Sequence, residues 1–119
     1  MIADKIMYLQ PVIQAMQTYW PDNRTVNIVC AGHSVPAGYF ATPFVNTVQA
    51  YPQRVLQELK VNFPYAVLNV ITTAIGGENS IRGASRFVSE TLCHRPDVVT
   101  IDYGLNDRGS PYEQVVSSW

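Results

Sequence analysis

The sequence predicts a single α/β domain, a three-layer α/β/α arrangement on a parallel flavodoxin-like sheet that is incomplete within its 119 residues. Three apolar runs rich in β-branched residues each stop at glycine: TVNIVCAG (25–32), AVLNVITTAIGG (66–77) and DVVTIDYG (97–104). The segments between them are long enough for helices, and a strand that reaches its neighbour through a helix pairs with it in parallel by a right-handed crossover. The length suits one hydrophobic core, and no repeat, linker or low-complexity stretch marks a second domain.

Taken in order, Ile2, Ile6, Leu9, Ile13 and Met16 recur at helical spacing. The first twenty residues are therefore expected to form an amphipathic helix that ends before Pro21 and is kinked or divided at Pro11. The run at 25–32 lies between the turn-former Asn23 and Gly32 and reads as a strand buried on both faces. From 46 to 62 a helix is expected, with Asn46 as its cap, Pro52 near its start, and Val48, Val55, Leu56 and Leu59 facing inward. The run at 66–77 reads as a second buried strand. Residues 79–95 follow as a second helix with Ile81, Phe87, Val88 and Leu92 as its apolar positions, and the third strand begins after Pro96.

Apolar residues make up 47% of the chain and charged residues 14%, a balance that suits a packed domain and not a disordered one. A formal net charge of -1, with no Lys/Arg run, gives no field for holding a phosphate backbone, so nucleic acid is not expected as a partner. The N-terminus lacks the continuous apolar core and cleavage site of a signal peptide, and nothing approaches the ~18 apolar residues of a membrane span. The chain reads as soluble, cytoplasmic by default. Cys30 and Cys93 have no metal-ligand spacing and read as buried free thiols, and no metal or cofactor is expected.

In an open parallel sheet, ligands bind beyond the carboxyl ends of the strands. Here those ends carry GHS (32–34), IGGENS (75–80) and GLND (104–107). Ser34 falls at a strand-to-helix junction. Gly76 and Gly77 allow a ligand close to a backbone N–H, and Asn106 offers a side-chain amide just past a buried strand. A hydroxyl nucleophile beside a backbone N–H and an amide N–H is what acyl transfer requires, because negative charge develops on the carbonyl oxygen during attack. Each residue alone fits a plainer role as cap or turn. Their recurrence at three successive strand ends is what points to chemistry.

These three blocks resemble those of the SGNH or GDSL-type serine hydrolases. GHSV at 32–35 is similar to that family's Gly-Asp-Ser-Leu block, TTAIGGENS to its second block, and GLND to its Gly-x-Asn-Asp block. The resemblance covers about residues 26–107 and implies Ser34 as nucleophile, with the N–H groups of Ser34 and Gly77 and the amide of Asn106 as the oxyanion hole. It implies a serine esterase working through an acyl-enzyme on carboxylic esters, with carbohydrate O-acetyl and lipid esters both open. His33 stands where the family has aspartate, and Thr72 where its second block commonly opens on asparagine. A ligand-binding module on the same fold, taking a carbohydrate or acyl group without cleaving it, is the alternative.

The family's late Asp-x-x-His block, which supplies the base, has no counterpart in this sequence. His33 neighbours Ser34, and side chains leaving an extended strand alternate, so a direct hydrogen bond between them is not expected. His94 precedes the third strand and should lie about 20 Å from the carboxyl edge at ~3.3 Å per residue. The sequence therefore reads as a hydrolase domain lacking its C-terminal part, nearly inactive alone. The outer edge of the third strand is expected to be covered by a second chain or by self-association. Arg82, Arg86 and Arg108 read as solvated surface charge.

Overall fold

The computed structural model describes residues 3–119; Ile2, assigned above to the first helix, lies outside them. Helix α1 (Gln10–Gln17) leads to strand β1 (Thr25–Gly32), the single-turn helix α2 (Ser34–Ala37) and a hairpin of β2 (Tyr39–Ala41) and β3 (Phe44–Val45). A 3-10 turn at Thr47–Gln49 precedes helix α3 (Tyr51–Asn62), strand β4 (Val67–Thr72) and helix α4 (Ser80–Glu90). A second 3-10 turn, Leu92–His94, precedes strand β5 (Val98–Asp102) and the short helices α5 (Gly104–Asp107) and α6 (Tyr112–Ser118).

The main sheet is parallel, in the order β4-β1-β5. Its central strand pairs from Thr25 opposite Val67 to Cys30 opposite Thr72 on one side, and from Ile28 opposite Val98 to Gly32 opposite Asp102 on the other. That offset carries β5 further toward the carboxyl edge than β4, so Asp102 comes to lie beside the last residue of β1. Because the two crossovers leave β1 and β4 in opposite directions across the sheet, their helices fall on opposite faces.

Met16 of α1 packs with Val26, Ile28, Cys30 and Ala66, joined by Val55, Leu59 and Phe63 from the α3 side. This is the main core. On the opposite face α4 approaches the sheet at Gly83, where an added Cβ would overlap the Tyr103 ring. A helix can seat that closely only where it has no side chain.

Several expectations are corrected. The first helix is shorter than its periodicity suggested and begins at Gln10, with Pro11 in its first turn instead of bending it midway, because proline in the first turn loses no intrahelical hydrogen bond. Asn46 caps the 3-10 turn through its Oδ1 to the Gln49 N–H, and the α-helix itself starts with Pro52 in its first turn. Val48 is 66% exposed and Val88 72%, and Leu92 is also exposed, so these three do not face the core. β4 is half-buried and alternating, not buried on both faces, since it is an edge strand. Cys30 is buried, but Cys93 is exposed. The β2–β3 hairpin was not foreseen, being too short to show a period of two. Among the described residues β5 has no partner on its outer side, and no helix is long and apolar enough to cross a membrane.

Candidate functional site

The three strand ends named from the sequence are tied to one another by hydrogen bonds. The N–H of His33 donates to the Asp102 carbonyl at 3.1 Å, the N–H of Ile75 donates to the Gly32 carbonyl at 3.0 Å, and the Asn106 amide donates to the Glu78 carbonyl at 2.8 Å. The first joins the Ser34 loop to the third loop, the second joins it to the second, and the last closes the ring. Gly32 is needed for this: a Cβ there would meet the Asp102 carbonyl oxygen at 2.5 Å and Pro36 at 2.8 Å. Gly77 sits at φ +79 with open space around its Cα, a left-handed conformation that leaves its peptide accessible. Gly76 instead lies under the ring of Tyr39, which brings β2 over the second loop.

Ser34 is the first residue of α2 and is half-buried. His33, before it, is 1% exposed. Its Nδ1 accepts the Val35 N–H at 3.2 Å and lies 3.3 Å from Ser34 Oγ, and its Nε2 lies 3.3 Å from Asp102 Oδ1. The sequence-based expectation that His33 and Ser34 point apart is therefore corrected. Strand alternation ends at Gly32; with ψ of -143 at His33 and a helical turn starting at Ser34, the two side chains fold back toward one another. A nitrogen that accepts a backbone N–H carries no proton, so Nδ1 is bare and the ring proton is on Nε2, toward Asp102. The Nε2 is close to that carboxylate without being aligned on it, and it makes no hydrogen bond.

Beside this group lies a charged cluster that the sequence did not suggest. Glu78 is 3% exposed and accepts from Arg86 Nε at 2.9 and 3.0 Å, with the Tyr103 hydroxyl donating at 3.3 Å. Arg86 is thus a buried partner and not a solvated surface charge, and its bond to Glu78 raises its affinity for a proton still further. Burial, followed by the charge of Glu78, pushes the Tyr103 phenol up. An acidic residue directly after paired glycines, with an arginine eight positions on, was the available signal. Asp107 accepts the Ser80 N–H at 2.8 Å, fixing the third loop to the start of α4. His94 sits, as expected, at the opposite end of the sheet, where its carbonyl accepts from the Asn27 side chain at 3.0 Å.

Ser34 has exposed apolar side chains beside it. Val35, Tyr39 and Phe40 nearby are exposed, and the rings of Phe40 and Phe44 lie 6.2 Å apart. A partly enclosed cavity of about 180 Å³ lies elsewhere: Gly83, Phe87, Val88, Ile101, Tyr103 and Trp119 line it between α4, the outer side of β5 and the C-terminal segment. Ser80 and Ser118 also line it, but no imidazole stands beside either hydroxyl as His33 stands beside Ser34. Among the described residues no three His, Cys, Asp or Glu side chains gather as a metal site.

No family model and no curated protein matches the sequence. Solved structures do. A two-domain esterase (CEX) active on acetylated mannans superposes with a TM-score of 0.76 at 25% identity, covering 90% of this chain and 27% of that one. The lipase/acylhydrolase from Enterococcus faecalis matches with a TM-score of 0.56 at 26% identity over 69% of this chain and 40% of its own. TesA matches with a TM-score of 0.61 at 24% identity over 77% of this chain and 49% of its own, a likeness of fold. The chain spans between about a quarter and a half of the length of these proteins. Over most of its own length, this chain carries the α/β fold of the SGNH/GDSL-type esterases.

Proposed function

We propose that this protein is a serine esterase that cleaves carboxylic esters through an acyl-enzyme. Ser34 Oγ attacks the ester carbonyl, and the developing oxyanion is held by the N–H groups of Ser34 and Gly77 and by the Asn106 amide. The observation that supports this reading is the closed ring of hydrogen bonds joining the three loops that bear these residues. The Asn106 amide spends one N–H on the Glu78 carbonyl and keeps the second, since an NH₂ group carries two donors.

Carbohydrate O-acetyl esters are the substrate class we favour. The two-domain esterase matched above acts on acetylated mannans, and Phe40, 70% exposed beside the nucleophile loop, offers a ring face for a sugar. At full rate the base is proposed to be an Asp-x-x-His histidine from outside residues 1–119. The free outer edge of β5 is proposed to pair with a second chain or another copy.

The test is acetylation from p-nitrophenyl acetate, followed by peptide mapping. An initial burst of p-nitrophenol with the acetyl group on Ser34, absent from Ser34→Ala, is the expected result. A protein that binds acetylated oligosaccharides but never acquires an acetyl group at Ser34 would be a binding module instead.

A further inference from the structure

We propose that Tyr39 sets the acyl specificity of the Ser34 site, its ring closing the acyl side of the cleft so that an acetyl group enters and longer acyl chains do not. This rests on the reading of Ser34 as nucleophile and of the Gly77 N–H as an oxyanion donor.

The ring is tied to both of the loops that hold those groups. On one side it follows directly from the Ser34 turn. The Gly38 N–H donates to the Ser34 and Val35 carbonyls, each at 3.0 Å, and the Asn46 N–H donates to the Gly38 carbonyl at 2.8 Å. The hairpin therefore leaves α2 in a fixed direction, and Tyr39 is its first residue. On the other side the ring covers Gly76, where an added Cβ would lie 3.0 Å from Cε2 and 3.1 Å from Cζ. The Gly77 N–H belongs to the peptide that joins Gly76 to Gly77. A carbonyl oxygen seated on that N–H has the Tyr39 ring as a neighbour.

The hairpin also separates the two halves of the ester. Tyr39 stands opposite Val45, whereas the Phe40 ring pairs with Phe44 at 6.2 Å. Successive strand residues face opposite sides. With Phe40 given to the sugar, Tyr39 is left to the acyl group. Tyr39 is also the more enclosed of the two, 40% exposed against 70% for Phe40. A ring lodged against a loop cannot swing aside without losing that contact. An acetyl group ends at its methyl carbon, and each further methylene needs volume that the ring already fills. Apolar pockets discriminate over one methylene by about 10- to 200-fold.

The readout is the burst of p-nitrophenol from the full chain with p-nitrophenyl acetate, butyrate and hexanoate, with peptide mapping to place the acyl group on Ser34 and thermal unfolding of each variant. The native chain should take acetate at least about tenfold faster than hexanoate. Tyr39→Ala should raise the hexanoate-to-acetate ratio by roughly tenfold, the lower end of what one methylene yields. Tyr39→Phe keeps the ring and should hold the native ratio. A side chain that only steadied the oxyanion loop would, on removal, slow all three esters alike. That result, or a native chain that takes hexanoate as fast as acetate, overturns the assignment and leaves Ser34 the nucleophile. If Y39A does not fold, Tyr39→Val, which keeps a strand former at the position, decides by the same ratio. If no ester acylates Ser34 in the native chain, the nucleophile reading fails and the acyl assignment goes with it.

Discussion

The two ends of β1 are assembled from similar parts and finished differently. At the amino end, Asp97 accepts the Asn27 N–H at 2.9 Å and the Arg24 guanidinium at 2.8 Å. The Asn27 side chain donates to the His94 carbonyl and accepts from Asn69, both at 3.0 Å. At the carboxyl end an aspartate from the same neighbouring strand region again faces β1, but Asp102 and His33 stop at 3.3 Å and leave a ring nitrogen unmatched. A buried polar group without a partner costs about 1–3 kcal/mol. Complete pairing at one end and incomplete pairing at the other separate the part of the strand that holds the sheet together from the part that carries the proposed nucleophile.

Removing the reacting atom gives the largest expected difference. Ser34→Ala should abolish acetyl transfer while leaving the urea midpoint unchanged, and a variant that still becomes acetylated would move the chemistry away from this end of the sheet. Next comes the fully paired part of the carboxyl edge. Glu78→Ala removes the buried partner of the Arg86 guanidinium, whose side chain is only 12% exposed, and leaves it Glu90 at 3.1 Å, so the cost in urea unfolding should be about 3 kcal/mol, the lower end for a broken buried pair. A loss below 1 kcal/mol would mean that Arg86 finds water instead.

Asn106→Ala should reduce acylation by ~3 kcal/mol of transition-state stabilisation, on the order of a hundredfold in rate, with KM little changed. The smallest effect belongs to the amino end. The hydrogen bond from Arg24 holds the Asp97 carboxyl below its ordinary value of 3.8. A carboxylate so depressed stabilises the fold above that ordinary value, and the contribution is lost as pH falls through the lower folded one. Asp97→Asn should therefore flatten the loss of stability as the pH is lowered below that ordinary value, measured as urea midpoints, and leave acetylation at neutral pH unaffected.

The parallel sheet was legible because β1 is central: TVNIVCAG is a continuous apolar run bounded by turn formers, and the strand ends at Gly32 in the structure too. Edge strands are harder to delimit. AVLNVITTAIGG contains only the six paired residues of β4, because a run of apolar residues continues past the last ladder bond into the loop. Gly77 and Asn106 could be named from glycine and asparagine at strand ends. His33 could not be placed, since strand alternation fails at the residue where the strand stops. Glu78 and Arg86 were missed for a similar reason: a buried pair reads in sequence as two surface charges until the loop that brings them together is known.

The bare Cα of Gly83 sets how deeply α4 settles onto the Tyr103 ring. That phenol also touches Glu78, whose carbonyl holds Asn106, so clearance at one point of the helix governs alignment at the far side of the cleft. A single methyl there would act like a shim under a lever, with its largest displacement at the loop that carries Asn106.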